Sequence, residues 1–335
     1  MRMEIPKAKQ LEEKVFAITN EKELSIIALE VYHFQFSNNS IYRDYCNAIG
    51  RIPGLVQKIS EIPFLPISFF KTHRIETTEF NAGLLFKSSG TTGSTTSSHY
   101  VKDAALYRKS FNRGFEKFYG NINEYCIIGL LPSYLERGNS SLVYMVNDLI
   151  KKSGHKDSGF YLDEFEKLDQ TLKKLNASGQ KTILIGVTYA LLDFSEQYPQ
   201  QLSNTIIMET GGMKGRGKEM TKTEMYDHLK KSFGVAQIHS EYGMTELLSQ
   251  AYGIDGLMQC PPWMKVLLRD ETDPFNIYEP GTTTSGAINI IDLANLYSCS
   301  FIATDDVGKT YDDSSFAILG RMDNSDIRGC SLMVM

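Results

Sequence analysis

Apolar and polar positions divide the chain into regions with different periodicities. Residues 22–36 carry apolar side chains at helical spacing, and two prolines in the stretch EIPFLPISFF (61–70) then force an extended path. From about residue 81 to 240, short apolar runs alternate with amphipathic helical stretches, which is the pattern of parallel βαβ units. After residue 260 the apolar runs are short and separated by Pro, Gly and Asp turns, which predicts a β-rich, antiparallel part.

The same pattern predicts individual elements. Strands are predicted at 83–86, 125–131, 182–187 and 205–208, from 235–238 onward, and at 264–268, 287–291, 300–303 and 315–319. Helices are predicted over 22–36 and 142–150, over a stretch with Tyr107, Phe111 and Phe115, and over one with Met225, Leu229 and Phe233. We expect an α/β fold in four regions: a helical and irregular region packed on the main domain (1–80), an α/β nucleotide-binding core (81–260), a β-rich subdomain (261–319), and a hinge motif with a tail (320–335).

Composition excludes several classes of protein. The chain has 335 residues, of which 42% are apolar and 22% charged, and this is typical of a globular protein rather than a disordered or fibrous one. The net charge of −5, without a basic stripe, argues against nucleic-acid binding. No window approaches the roughly 20 apolar residues of a membrane span, and the N-terminus has no apolar stretch typical of a secretory signal. The scattered cysteines favour reduced thiols, so we expect a cytoplasmic protein.

The most unusual stretch is KSSGTTGSTTSSHY (87–100), which follows the first predicted strand. Glycines allow close backbone approach, and hydroxyls with exposed amides can surround phosphate oxygens without a fixed positive charge. The composition is also typical of a flexible surface linker. Because the stretch lies between a predicted strand and a predicted helix, we favour a phosphate-binding loop.

A second glycine-rich stretch, GMKGRGKE (212–219), has the spacing of a Walker phosphate loop and lies between a predicted strand and a predicted helix. Glu219 stands where such loops have Ser or Thr, and its carboxylate would repel phosphate unless a metal intervened. A polar surface turn is the alternative interpretation, and a P-loop nucleotidase that uses Lys218 is the least favoured function.

The stretch HSEYGMTE (239–246) combines an aromatic face, a hydroxyl and a carboxylate at the end of a predicted strand. A helix N-terminus capped by Thr245 explains the same residues. Towards the C-terminus, TDD (304–306), GRMD (320–323) and SDIRGC (325–330) are each typical of solvated turns and surface charges. No Ser–His–Asp order, HExxH or CxxC spacing supports a hydrolase triad or a structural zinc site.

Five segments taken in order resemble the motif series of the adenylate-forming superfamily. They are SSGTTG (88–93), TGGMKGRG (210–217), YGMTE (242–246), TDD (304–306) and GRMD (320–323). Within that superfamily the chain is most similar to the acyl-protein synthetases of the bacterial luminescence fatty-acid reductase system (LuxE-type). The segments that carry this closer resemblance are FLPISFFKTH (64–73), LLPSYLERGNSSLVYM (130–145) and GRMDNSDIRGC (320–330).

The resemblance implies a role for each matching residue. The ATP phosphates would be held by Ser88, Ser89, Gly90, Thr91, Thr92 and Gly93. The adenine pocket would be lined by Gly211 and Gly212, and Tyr242 would stack on the base with Gly243 beside it. Thr245 would contact the α-phosphate, Glu246 would bind Mg²⁺, Asp306 and Arg321 would hold the ribose hydroxyls, and Cys330 would accept the acyl group. The implied fold is the large domain of adenylate-forming enzymes, with two α/β subdomains and a β-rich subdomain. The implied reaction activates a fatty acid with ATP and transfers the acyl group to a protein cysteine, from which a reductase or another acyl-accepting protein takes it.

Two departures from the superfamily pattern affect this hypothesis. Gly93 is followed by Ser94 and Thr95 where the superfamily has Pro–Lys, so that loop supplies no lysine. The chain also ends five residues after Cys330, so we expect the mobile C-terminal domain and its catalytic lysine to be missing. Two alternatives therefore stay open: an acyl-CoA ligase that uses free CoA, and a non-catalytic nucleotide- or acyl-binding subunit.

Overall fold

A computed structural model describes residues 4–88, 95–132, 138–162, 164–211, 220–279 and 284–322. The helices are α1 (Glu4–Ala17), α2 (Glu21–Asn38), α3 (Ser40–Ala48), α4 (Phe69–Thr72), α5 (Ala104–Tyr119), α6 (Ser141–Ser153), α7 (Phe165–Ala177), α8 (Thr188–Gln197) and α9 (Lys222–Phe233), with short 3₁₀ turns at Ile59–Glu61, Ile122–Glu124 and Leu293–Asn295. The strands are β1 (Leu65–Pro66), β2 (Leu84–Lys87), β3 (Ser98–Val101), β4 (Cys126–Leu130), β5 (Gly159–Phe160), β6 (Thr182–Val187), β7 (Thr205–Thr210), β8 (His239–Tyr242), β9 (Ala251–Ile254), β10 (Leu257–Gln259), β11 (Met264–Arg269), β12 (Gly286–Asp292), β13 (Phe301–Thr310) and β14 (Phe316–Arg321). None of the described helices is both long enough and apolar enough to span a membrane.

The described residues form two compact units. Unit 1 contains residues up to Phe111, the Met244–Gln250 segment and the stretch from Cys260 to Met322. Unit 2 contains Asn112–Gly243 and Ala251–Gln259.

Unit 2 is built on a parallel sheet. Its strands pair in the order β5-β4-β6-β7-β8, all parallel, and β9 and β10 then continue the sheet as antiparallel strands. Every residue of β4 and β6 is buried, as expected for strands covered on both faces. On α9, buried Met225, Leu229 and Phe233 form the apolar face that their spacing predicts. Asp255 and Gly256, both with positive φ, make the tight turn between β9 and β10.

Unit 1 is built on an antiparallel sheet. Strands β11, β12, β13 and β14 pair in chain order, and the short β1 lies parallel to β13. Helices α2 and α3 and the residue before β1 contribute aromatic rings to the core over this sheet. The rings of Tyr32, Tyr42 and Phe64 lie 6.1–6.4 Å from that of Phe301, centroid to centroid. Strands β2 and β3 form a separate hairpin.

The predicted fold class, α/β with parallel βαβ units followed by an antiparallel part, is confirmed. The strand predicted from 235–238 begins later, at His239. The reason is that Gly234 ends α9 in a left-handed conformation and the Val235 N–H still donates to the Lys230 carbonyl, so these residues complete the helix end.

A second difference concerns the Ser/Thr-rich stretch. Residues 98–101 form β3, so the loop joins two antiparallel strands rather than a strand and a helix. Burial alternates along β3, with His99 and Val101 buried, but the polar Ser98 and His99 hide this period of two from a hydropathy pattern. The helix that the alternative interpretation placed at Thr245 is also absent, because residues 243–250 form neither helix nor strand. The division into four regions stays a prediction.

Candidate active site

The predicted site residues are distributed over both units. Those outside the described residues are Ser89, Gly90, Thr91, Thr92, Gly93, Gly212 and Cys330. Unit 1 contains Ser88, Thr245, Glu246, Asp306 and Arg321, and unit 2 contains Gly211, Tyr242 and Gly243. The two groups are described within their own units.

In unit 1, Asp306 and Arg321 are brought together. They are directly opposite each other on β13 and β14, and Arg321 Nε donates to Asp306 Oδ1 at 3.0 Å. The Asp306 side chain is 9% exposed and that of Arg321 is 27% exposed, so the pair lies at the edge of the core. A carboxylate beside a guanidinium offers acceptors and donors at a fixed spacing, which suits the hydroxyls of a ribose.

A buried arginine that sequence reasoning did not single out supports this pair. Arg269 donates to the carbonyls of Ile288 (2.8 Å) and Thr304 (2.6 Å). The hydroxyl of Thr304 in turn accepts from the backbone N–H of Asp306 at 3.2 Å. Burial lowers the pKa of Arg269, and the neutral oxygens around it compensate part of the desolvation by accepting hydrogen bonds. The signal in the sequence is a lone arginine at the end of a predicted apolar strand.

Ser88 closes the base of the Ser/Thr-rich loop. Its backbone N–H donates to the Ser97 carbonyl at 3.1 Å, and the Ser97 N–H donates to the Ser88 hydroxyl at 2.9 Å. The ladder of β2 and β3 continues this pairing, with Phe86 opposite His99. The two ends of the loop are therefore hydrogen-bonded to each other at the end of the hairpin. Fixed ends of this kind suit a phosphate-binding loop.

Thr245 and Glu246 lie in the irregular Met244–Gln250 segment of unit 1. Glu246 is 4% exposed. Among the described residues, no three or more His, Cys, Asp or Glu side chains cluster as metal ligands. Magnesium in nucleotide sites is usually held by one or two carboxylates together with phosphate oxygens and water, and the Glu246 side chain is a carboxylate of that type.

In unit 2, the predicted adenine-site residues lie at the carboxyl end of the parallel sheet. Thr210 and Glu241 are partners across β7 and β8, and Gly211 and Tyr242 follow them directly. Gly211 has a φ of +66° and its carbonyl accepts from the Thr188 hydroxyl at 2.7 Å, so a side chain here would be strained. The carboxyl ends of parallel strands are where open α/β sheets bind ligands.

This edge of the sheet also holds a buried carboxyl group that was not predicted. Glu241 accepts from the Thr210 hydroxyl at 2.5 Å. Burial raises the pKa of Glu241 to about 7, and the nearby charge of Glu209 acts in the same direction. Glu241 lies inside the HSEYGMTE stretch, next to Tyr242, so its position in the sequence was the available signal.

Comparison with solved structures identifies the class of fold. A 2-hydroxyisobutyryl-CoA ligase in complex with 2-HIB-AMP and CoA matches with a TM-score of 0.61 and 12% identity, over 97% of this chain and 70% of that chain. The luciferase-like enzyme of the mealworm Zophobas morio matches with a TM-score of 0.50 and 15% identity, over 76% of this chain and 61% of that chain. The match thus spans less than two thirds of the luciferase-like enzyme. The fold is that of adenylate-forming ligases.

Sequence comparison then identifies the family. The family model "Acyl-protein synthetase, LuxE" matches residues 11–335. The long-chain-fatty-acid–luciferin-component ligase of Vibrio harveyi is 21% identical over 350 residues, which cover 95% of this chain and 89% of that protein. This chain belongs to the acyl-protein synthetase (LuxE) family, a family of ligases, and the resemblance predicted from its motifs is confirmed.

The raised pKa of Glu241 predicts a pH-dependent stability. Between about pH 4.5 and 7 the folded state keeps a proton on Glu241 that the unfolded chain has lost, so the free energy of unfolding falls as pH rises through this window. The Glu241→Gln variant stays neutral. Between pH 4.5 and 8 we expect its free energy of unfolding to fall by on the order of 2 kcal/mol less than that of the wild type. Chemical denaturation at several pH values measures this difference. Glu116→Gln, at an exposed position of α5, is the control and should follow the wild type. Parallel pH profiles for Glu241→Gln and wild type would contradict the assignment.

Proposed function

We propose that this protein activates a fatty acid with ATP to an acyl-adenylate and passes the acyl group to a protein cysteine, Cys330. The observation that carries the proposal is the match to the acyl-protein synthetase family over residues 11–335, with all five nucleotide motifs in order. In the first step a carboxylate oxygen of the fatty acid attacks the α-phosphorus of ATP and pyrophosphate leaves. In the second step a thiolate attacks the acyl carbonyl, and AMP leaves.

Both steps suit the residue types present. The first step gathers negative charge on phosphate oxygens, so positioning, backbone dipoles and a cation contribute most of the rate. The loop from Ser88 to Gly93 and the hydroxyl of Thr245 would bind phosphate oxygens, and Glu246 would hold Mg²⁺, which neutralises phosphate charge when bound. Gly211, Tyr242 and Gly243 would bind the base.

The thiol step explains why a cysteine is required. A thiolate is a strong nucleophile towards a mixed anhydride, and the thioester that forms keeps the acyl group reactive. The described cysteines, Cys46, Cys126, Cys260 and Cys299, are free. Burial raises the pKa of each, to about 12 for Cys46 and Cys260, so they are protonated at neutral pH. They are poor acceptors, which supports Cys330. A reductase or another acyl-accepting protein in the cytoplasm would take the acyl group from it.

The ribose assignment predicts a defect specific to ATP. Asp306→Asn removes the charge that strengthens hydrogen bonds to hydroxyls and to Arg321, and such bonds contribute about 1.5–3 kcal/mol. We expect the KM for ATP to rise about 10- to 100-fold while the KM for fatty acid stays within about twofold, measured by ATP–pyrophosphate exchange. Asp312→Asn, an exposed acid in the turn between the same two strands, should leave both constants unchanged. An unchanged KM for ATP in Asp306→Asn would rule out the ribose role.

The acceptor assignment predicts the fate of the acyl group. With ATP and labelled fatty acid, we expect the wild type to carry one hydroxylamine-labile label, and peptide mapping should assign it to Cys330. Cys330→Ser should lose this label but retain ATP–pyrophosphate exchange, because the first step does not use the thiol. Cys260→Ser is the matched control and should keep the label, since its thiol is protonated at neutral pH.

Other results would redirect the assignment. A labile label that persists in Cys330→Ser would show that another residue accepts the acyl group. Acyl-CoA formation at an unchanged rate in Cys330→Ser, with no label on the wild-type protein, would favour the acyl-CoA ligase alternative.

A further inference from the structure

The Met244–Gln250 segment carries Thr245 and Glu246 but is neither helix nor strand. Residues 246–250 are buried and belong to no strand, so their backbone N–H and C=O groups need partners other than a ladder. Side chains from distant parts of unit 1 supply several of them. The carboxylate of Asp292 accepts from the backbone N–H groups of Leu248 (2.8 Å) and Ser249 (2.9 Å).

Asn295 binds the carbonyl of Glu246, at the start of the buried stretch. Its Nδ2 donates to the carbonyls of Glu246 (2.8 Å) and Cys299 (2.9 Å). Because both partners are acceptors, the amide nitrogen must face them, and the orientation of the side-chain amide is fixed. The amide oxygen of Asn295 then points at His99.

His99 holds the carbonyl of Thr245. Its Nδ1 lies 2.8 Å from that oxygen, and its Nε2 lies 3.1 Å from Asn295 Oδ1. Both of these oxygens can only accept, and a neutral ring has one N–H. The shorter contact, to Thr245, places that proton on Nδ1, and Nε2 then makes no hydrogen bond to Asn295 Oδ1. The ring is fully buried and packs edge-on against Phe70 at 5.7 Å between centroids, which fixes its plane. Burial lowers the pKa of His99 to about 4, so the ring is neutral near pH 7 and its one proton goes to Thr245.

We propose that His99 is a positioning residue for adenylation: it locks the Met244–Gln250 segment to the hairpin that carries the Ser/Thr-rich loop. His99 lies on β3, two residues after Ser97, whose bonds to Ser88 close the loop. The loop and Thr245 would both bind phosphate oxygens of one ATP molecule, so their spacing must be kept. This inference rests on the proposed function.

A purely structural role would predict something different. If His99 only satisfied a buried carbonyl, its loss would lower stability, and activity would fall only as far as the folded fraction falls. A positioning role predicts a loss of turnover in fully folded protein, since a misplacement of about 1 Å in a reacting complex costs up to about 100-fold in rate.

Two similar substitutions separate these roles. The amide nitrogen of Asn lies where Nδ1 of histidine lies, whereas that of Gln reaches the position of Nε2. His99→Asn can therefore still donate to Thr245, and His99→Gln cannot. The matched control is His228→Asn, at a half-buried histidine of unit 2 whose Nε2 lies 3.2 Å from the Ser195 hydroxyl.

The kinetic readout is ATP–pyrophosphate exchange driven by a fatty acid, with the melting temperature of each variant measured alongside. We expect His99→Asn to keep kcat within about threefold of the wild type. We expect His99→Gln to lose about 10- to 100-fold in kcat with an unchanged KM for fatty acid, in protein that is folded at the assay temperature. His228→Asn should match the wild type.

Hydrogen–deuterium exchange of the peptide containing residues 244–250 tests the same lock without relying on activity. It should be faster in His99→Gln than in His99→Asn or wild type, because the segment has lost an anchor. If the His99 variants do not fold, Asn295→Ser, which removes the bond to the Glu246 carbonyl, should show the same pattern of lower kcat and faster exchange.

The outcomes are distinguishable. Equal kcat values for the Asn and Gln variants, or unchanged deuterium exchange in the segment, would overturn the positioning role. Absence of pyrophosphate exchange in the wild type with every fatty acid would instead overturn the proposed function, and the deuterium exchange would still decide whether His99 anchors the segment.

Discussion

A fully buried carboxylate has to be matched by hydrogen-bond donors, and in unit 1 that requirement organises the region around the proposed catalytic residues. Asp292 accepts from the backbone of Leu248 and Ser249, from the Ser249 hydroxyl at 2.6 Å and from the Ala294 N–H at 3.2 Å. Burial raises its pKa, and these four bonds act in the opposite direction. The same residue ends β12 and begins the turn Leu293–Asn295. One side chain thus fixes the irregular segment and sets the position of Asn295.

The arrangement explains how an irregular segment can hold the proposed catalytic residues in fixed positions. Thr245 and Glu246 need not lie in a helix or strand, because side chains from β3, β12 and the following turn hold their backbone. A similar arrangement lies next to the pair Asp306 and Arg321: buried Arg269 donates to the Thr304 carbonyl, and the Thr304 hydroxyl accepts from the Asp306 N–H. Groups that bind a nucleotide must be rigid before it arrives if binding energy is to go into the reaction, and buried polar networks supply that rigidity.

Much of the fold was predictable because its strands and helices have distinct patterns of apolar residues. Strand β4 and residues 183–187 of β6 have no polar side chain, β7 is apolar from Ile206 to Met208, and α9 shows Met225, Leu229 and Phe233 at helical spacing. Strand β3 was missed because its buried position 99 carries histidine, where a strand usually has an apolar residue. The motif residues were recognised by their order and spacing, but the residues that hydrogen-bond to their backbone were not. His99, Thr245 and Asn295 lie far apart in sequence, and only folding brings them into contact. The roles assigned to the motif residues themselves stay predictions.

The proposed function requires the chain to form an acyl-adenylate. ATP–pyrophosphate exchange by the wild-type protein, with fatty acids of increasing chain length, measures this step. We expect exchange that requires both ATP and a fatty acid and that is supported by some chain lengths more than others. Exchange with no fatty acid of the series, or hydrolysis of ATP to ADP and phosphate that is indifferent to fatty acid, would contradict it.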